Sequence, residues 1–341
     1  MFTIKGVALR KQKLPAWEPN FTPATVLPSF VIIGVAFIAI GVGLHLITEQ
    51  TQEKIIDYTN CVSSKTRVNC STVISKNISE QCSCTQHFTL PKNFDRNVFL
   101  YYRLTHYYQN LRRYMSSVDM TQLKGQMLSP SSSCTPFITN YDPLKKKTLP
   151  IAPCGAIANS LFNDTFQLFF IKNLTLIEVN ILETDIAWST DREYLYLNPK
   201  NLSFTGFTKP PYWRKYINEL NTNDSSENGF QNEHFIVWMR TAAFPTFRKL
   251  WGRIDHKNLF AYGLPKGNYI LRINYNYPVT EFGGGKQVVI GNTSWLGGKN
   301  YFLGYAYIAF GSLSISTALI LFVVYKYFGF RFVFRTSNIA N

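Results

Sequence analysis

No charged residue stands between Glu18 and Glu49, and none stands between Asn300 and Tyr325. Stretches of this length without charge are foreign to the surface of a soluble domain, and about 20 apolar residues suffice to cross a bilayer. Cysteine is missing outside residues 61–154, which excludes a thiolate metal site or thiol redox pair on the chain ends. Acidic residues are scarce, 20 against 35 Lys and Arg, and the formal net charge is +15. That balance suggests nucleic acid only at first sight. The chain ends carry much of it as membrane-topology signals, and Lys145-Lys146-Lys147 reads as a solvated loop, so no nucleic-acid partner is expected.

Catalytic patterns are also missing. There is no HExxH or other zinc spacing among His87, His106, His234 and His256, and no G-x-S-x-G elbow. Gly283 to Lys286 and Gly297-Gly298-Lys299 lack the GxxxxGK[ST] spacing of a phosphate loop and read as a turn and a pre-membrane linker. Asp224 to Gly229 begins like a calcium loop, but its twelfth position, which needs a bidentate Glu, is Phe235. The expectation is a protein that is not an enzyme and that has no cofactor, no metal and no catalytic residue.

What is present is a two-span membrane plan. A secretory signal core is shorter, lies nearer the N-terminus and ends at a small-residue cleavage site, whereas the first run continues through Leu44-His45-Leu46-Ile47. It reads as an uncleaved anchor. Lys5, Arg10, Lys11 and Lys13 precede it, and Glu49, Glu53 and Asp57 follow it with only Lys54 against them. Lys326, Arg331 and Arg335 follow the second run. Lys and Arg are retained on the cytoplasmic side, so both ends are expected in the cytosol. Aromatic belts fit at Tyr301, Phe302, Tyr305 and Tyr307 and at Tyr325, Tyr327 and Phe328. The predicted organisation is a cytosolic tail over 1–23, spans over 24–47 and 300–325, a translocated ectodomain over 48–299 and a cytosolic tail over 326–341.

Two residue types support the ectodomain. N-x-S/T sequons stand at Asn69, Asn77, Asn163, Asn173, Asn201, Asn223 and Asn292, all between the spans, while the one at Asn20 lies on the cytosolic side and should stay bare. All six cysteines, Cys61, Cys70, Cys82, Cys84, Cys134 and Cys154, fall there too, and an even number in an oxidising compartment reads as three disulfides. Six cysteines allow fifteen pairings. Cys82 and Cys84, two apart in an extended stretch, are poorly placed to bond to one another. Each should reach back to Cys61 or Cys70, which leaves Cys134 with Cys154. A zinc site on the Cys-x-Cys is disfavoured, because paired Cys-x₂₋₄-Cys knuckles are absent.

Length alone suggests two or three modules, but no repeat, low-complexity tract or linker divides the ectodomain. Alternation over Tyr269 to Tyr277 predicts a strand, with Lys286 to Ile290 as its hairpin partner beyond Gly283-Gly284-Gly285. Val98 to Leu104, Thr165 to Ile171 and Phe235 to Thr241 are further predicted strands. Phe247, Leu250, Trp251 and Ile254 are spaced as on a helix, and a second short helix is predicted through Tyr107 to Tyr114. The expected fold class is a membrane protein with two transmembrane α-helices bracketing a β-rich, antiparallel, sandwich-like, disulfide-stapled ectodomain with short helices. Within the spans, Gly34 and Gly41 are seven apart, as are Gly304 and Gly311, and Ala39 and Gly43 form a small-x-x-x-small pair. Each helix thus has a face open to close approach, either by the other span or by a partner's helix.

Several segments are specific enough to carry a resemblance. LPAWEP (Leu14 to Pro19), HYYQNLRRY (His106 to Tyr114), PIAPCGAIANSLFNDT (Pro150 to Thr165), NGFQNEHFIVWMRTAAFPTFRKL (Asn228 to Leu250), YNYPV (Tyr275 to Val279) and SWLGGKN (Ser294 to Asn300) closely resemble the cell division cycle protein 50 / ligand-effect modulator family. The match runs in order along nearly the whole chain. It implies a non-catalytic beta subunit of a type IV P-type ATPase, a phospholipid flippase whose alpha subunit hydrolyses ATP and moves aminophospholipid. The DKTG phosphorylation motif of such ATPases is missing here. The resemblance further implies a one-to-one heterodimer working among membrane lipids, escort of the ATPase from the endoplasmic reticulum to Golgi, secretory vesicles and plasma membrane, and nested bonds Cys61–Cys84 and Cys70–Cys82 beside Cys134–Cys154. It matches Asn163 to a family glycosylation position and places Leu14, Pro15 and Trp17 near the partner's cytosolic surface. Competing readings are a two-span ligand-gated channel subunit and a cell-surface binding protein or glycan-processing enzyme.

Overall fold

A computed structural model describes residues 22–76, 80–95 and 97–329. These described residues fall into two compact units, one formed by 22–50 with 299–329 and one lying within 51–298. The first is a pair of long apolar helices, Pro23–Gln50 and Phe302–Val324, the second running on into a π-helical turn over Tyr325–Gly329. At 28 and 23 residues they are about 42 and 35 Å long, enough for a hydrocarbon core of about 30 Å. Pro23 occupies a first-turn position, where its missing N–H costs no hydrogen bond.

The residues that these helices bury are small and seven apart: Gly34, Gly41 and Thr48 on one, Gly304, Gly311 and Ala318 on the other. A seven-residue period keeps one seam facing the partner along its length.

The second unit is an antiparallel β-sandwich. Its strands in order are β1 (Glu53–Asp57), β2 (Cys82–Leu90), β3 (Phe94–Asp95), β4 (Val98–Thr105), β5 (Thr139–Asp142), β6 (Lys147–Pro150), β7 (Thr165–Lys172), β8 (Thr175–Val179), β9 (Ile181–Leu182), β10 (Phe247–Ile254), β11 (Gly263–Leu264), β12 (Gly267–Tyr275) and β13 (Gly285–Asn292). One sheet has the order β1-β13-β4-β10-β9 and the other β2-β12-β7-β8, with two small ribbons, β11-β3 and β5-β6. Alternate residues of β4, β7 and β12 face inward, as the period of two requires. Leu100, Tyr102 and Leu104 of β4 and Val288 and Ile290 of β13 are buried in one sheet, and Phe166 and Leu168 of β7 and Tyr269, Leu271 and Ile273 of β12 in the other. Phe166 meets Trp251 of β10 edge-on, with ring centroids 5.1 Å apart, and Tyr102 stacks on Phe162 at 4.0 Å.

Three disulfides staple this unit: Cys61–Cys84, Cys70–Cys82 and Cys134–Cys154. Cys82 and Cys84 lie on the same face of β2, both buried, and reach the segment 61–70 in nested fashion.

Four local expectations need correction. Phe235 to Thr241 is not a strand but lies largely in a helix, Glu233–Met239. A short, mostly buried apolar run carries no usable period, and the deciding signal is the cap, Asn232, whose Oδ1 accepts from Phe235 N at 3.1 Å. Phe247 to Ile254 is not a helix but β10. A bulge between Leu250 and Gly252 inserts a residue, so burial passes from Lys249 and Trp251 to Ile254 rather than Arg253, and with Phe247 and Leu250 only half-buried the apolar residues imitate helical spacing. β13 is a strand but not the hairpin partner of β12. The two sit in opposite sheets, because Tyr269 to Tyr275 and Val288 to Ile290 bury their apolar faces against the same core from two sides. Over Tyr107 to Tyr114 only a single turn, Arg112–Met115, is helical.

Candidate functional site

The most constrained charges of the ectodomain lie inside the sandwich. Lys286 stands at the inward parity of β13, beside Val288 and Ile290, and is wholly buried. Its Nζ donates to Asp164 Oδ2 at 2.6 Å and to Tyr277 O at 2.6 Å, and lies 3.1 Å from the centroid of the Tyr275 ring. Asp164, just before β7, is satisfied on every side. Its Oδ1 accepts from Asn276 N and Tyr277 N at 2.6 and 2.8 Å, and its Oδ2 also accepts from Tyr58 OH at 2.9 Å. Burial pushes the Lys286 ammonium down to about 8, with the Asp164 charge opposing the shift. The Tyr58 hydroxyl is raised well above its ordinary value, first by burial and then by Asp164. Lys286 belongs to one sheet and Asp164 leads into β7 of the other, so the pair ties the two sheets together.

Lys249 is the second buried cation. Its Nζ donates to Val237 O, Trp238 O and Arg240 O at 3.1, 2.5 and 2.6 Å, occupying carbonyls at the C-terminal end of the helix Glu233–Met239. Burial alone holds it well below the usual lysine value. Glu233, in that helix's first turn, accepts from Asp185, Ile186 and Ala187 N–H and pairs with Arg192 at 2.9 Å. These groups organise backbone and offer no nucleophile beside a base.

On the surface, a cleft of about 340 Å³ is lined by Trp188, Asp191, Ile236, Arg240, Arg248 and Leu250, among others. Trp188 is 66% exposed and carries the Arg240 guanidinium over its ring at 4.6 Å. Asp191 holds Arg240 in two-point fashion at 2.5 and 3.0 Å and keeps its pKa above the ordinary value. A clamped cation over an exposed indole suits a contact surface, and every charge in it has a partner.

Leu14, Pro15 and Trp17 lie outside the described residues, as does Asn77. Gly34 and Gly41 of the first span face Gly311 and Gly304 of the second. A Cβ on Gly34 would stand 2.9 Å from Gly311 O and 2.6 Å from Ile315 Cγ1, and one on Gly41 would stand 2.9 Å from Gly304 O. Ser314 Oγ, donating to Phe30 O at 2.8 Å, and the Phe37 and Tyr307 rings, 5.3 Å apart, line the same seam.

The remaining sequons differ in setting. Asn69, Asn173, Asn201 and Asn223 are exposed, and Asn163 is half-buried. Asn292 uses its amide inside the fold, Oδ1 accepting from Gln52 N at 2.7 Å and Nδ2 donating to Asp95 O at 3.1 Å. Among the described residues, no group of three or more His, Cys, Asp or Glu converges as metal ligands would.

The Lys286–Asp164 pair was not anticipated from the sequence, although a lysine at an inward position of a strand is a readable sign of a buried cation. The Trp188–Arg240 cluster is assembled from segments about fifty residues apart and leaves no such sign.

A family model for the LEM3 (ligand-effect modulator 3) family / CDC50 family matches residues 44–330, from the end of the first helix through the second. The chain belongs to the CDC50/LEM3 family. Cell cycle control protein 50A of Mus musculus is 45% identical over 334 residues, covering 94% of this chain and 89% of its own length. Cell cycle control protein 50B of Homo sapiens is 43% identical, with 94% and 93% covered. A Saccharomyces cerevisiae protein called phospholipid-transporting ATPase accessory subunit CRF1 is 33% identical over 340 residues, with 93% and 84% covered. As a CDC50/LEM3 member, the chain is a two-span membrane protein whose β-rich ectodomain lies between its helices in sequence.

Proposed function

We propose that this chain is the non-catalytic accessory (beta) subunit of a phospholipid-translocating type IV P-type ATPase. It pairs one to one with the ATPase's alpha subunit, supports its folding and exit from the endoplasmic reticulum, and so sustains aminophospholipid translocation and membrane asymmetry there, in Golgi and secretory vesicles and at the plasma membrane. The observation that carries this reading is the whole-length relation to an accessory subunit of a phospholipid-transporting ATPase. Both tails face the cytosol, in keeping with the basic residues that flank the spans, and residues 48–299 face the lumen or exterior, where sequons and disulfides belong. Leu14, Pro15 and Trp17 meet the partner at its cytosolic face. The buried charges serve architecture and the site performs no chemistry of its own, which is the condition of a subunit whose partner hydrolyses ATP.

Deletion of the chain tests the proposal. The expected result is retention of a type IV P-type ATPase in the endoplasmic reticulum and loss of labelled phosphatidylserine uptake at the cell surface. Normal trafficking and uptake after deletion contradict it.

A further inference from the structure

The sequon at Asn69 is unlike the others in what the fold does to its remaining two residues. Cys70 is fully buried and bonded to Cys82, and Ser71 is only 7% exposed, in the first turn of the helix Cys70–Lys76. The backbone is locked as well. Cys70 N donates to Cys61 O at 2.9 Å, and Asn69 O accepts from Thr72 N and Val73 N at 3.1 and 3.2 Å. At the other described sequons the hydroxyl residue is open: Thr165, Thr175, Ser203 and Ser225 are exposed and Ser294 is half-buried.

Glycan transfer needs the asparagine amide and the Ser or Thr hydroxyl presented together on a pliable backbone. A closed Cys70–Cys82 loop withdraws the hydroxyl and freezes the backbone. The Asn69 side chain itself remains exposed, so a glycan already attached is compatible with the closed loop. We propose that Asn69 can be glycosylated only before Cys70 and Cys82 pair, so that its occupancy records which of two competing modifications comes first. The inference rests on the lumenal placement of the ectodomain proposed above.

Both steps balance. Transfer forms a bond between Asn69 Nδ2 and the anomeric carbon of a lipid-diphosphate-linked oligosaccharide. The anomeric C–O bond breaks, lipid diphosphate leaves, and the amide nitrogen loses a proton. Loop closure takes two electrons and two protons from the Cys70 and Cys82 thiols and delivers them to a protein disulfide of the oxidising compartment, which becomes a dithiol. Whichever happens first decides the state of Asn69. The two cysteines are only twelve positions apart, so both reach the lumen at nearly the same time during synthesis.

The test is glycopeptide mass spectrometry of the full chain synthesised into endoplasmic-reticulum microsomes, with Asn173, at an exposed hairpin tip, as the internal reference. Cys82→Ser leaves the Asn69-Cys70-Ser71 sequon intact and removes the competitor. Its Asn69 occupancy is expected to rise about twofold or more over the wild type, and dithiothreitol during synthesis should do the same to the wild type. Cys134→Ser with Cys154→Ser should leave Asn69 unchanged. Equal Asn69 occupancy in wild type and Cys82→Ser, with Asn173 modified in both, overturns the inference. So does an equal rise in the Cys134/Cys154 variant, because general misfolding then explains it. A bare Asn173 together with a bare Asn69 instead refutes the lumenal placement, and this inference falls with it.

Discussion

The two helices of the membrane pair meet where side chains are absent, and the two sheets of the ectodomain meet where they are largest. Gly34 and Gly41 lie against Gly311 and Gly304 so closely that the backbones themselves are in contact. In the ectodomain the partners are Phe166 with Trp251, Tyr102 with Phe162, and Tyr58 with Tyr275. The solvent explains the difference. Lipid tails are as apolar as leucine, so burying large side chains between helices gains little, and close backbone packing is what remains. In water, each buried aromatic ring removes a large apolar area from solvent, and the core is built from rings. Covalent and ionic constraints follow the same division. The disulfides and the Lys286–Asp164 pair are in the sandwich, while among the described residues no ion pair joins the two membrane helices.

The contrast breaks most visibly at Asp164. Asp164→Ala preserves the Asn163 sequon but leaves a buried ammonium without its counter-charge, at an expected cost of about 3–5 kcal/mol. Thermal unfolding of the purified full chain should show a large drop in melting temperature, and an unchanged melt would mean that the pair does not join the sheets. In the helix pair the corresponding change is Gly41→Leu, where a branched side chain meets Gly304 O and Ile308. Overpacking of about 1–3 kcal/mol is expected. Cysteines placed at 37 and 307 should cross-link in the parent chain and fail to do so in Gly41→Leu, while ectodomain melting stays put. Loss of cross-linking together with loss of the melt would erase the distinction between the two regions.

How much of this was legible depends on the kind of signal. The spans show in the missing charge, and β4, β7 and β12 alternate strictly in burial. Alternation failed where geometry interrupts it. The bulge in β10 shifted Ile254 by one residue, and the helix Glu233–Met239 is apolar on nearly all sides. Topology was less legible still. Gly283-Gly284-Gly285 signals a turn but not that the chain crosses from one sheet to the other there. Glycine spacing in the spans announced a close-packing face without saying which helix would use it. The Asp164–Lys286 pair joins residues 122 apart, a distance that no local pattern carries.

Smaller effects sharpen the comparison. Asn232→Ala removes the cap of the helix Glu233–Met239 and should cost about 1 kcal/mol, read as a modest decrease in melting temperature. Lys286 adds a pH dependence. Its folded-state value, about 8, lies below its ordinary one, so between these the unfolded chain binds more protons and stability from this group rises with pH. The difference in melting temperature between wild type and Lys286→Met should therefore shift in favour of the wild type from pH 8 towards pH 10. A difference that is flat in pH would contradict the buried-ammonium reading.

The most direct test of the account is the mass and composition of the particle that contains this chain, purified from native membranes under non-denaturing conditions. The account predicts one copy of the chain with one type IV P-type ATPase alpha subunit. A particle made only of this chain, as a monomer or as a homotrimer, would contradict it.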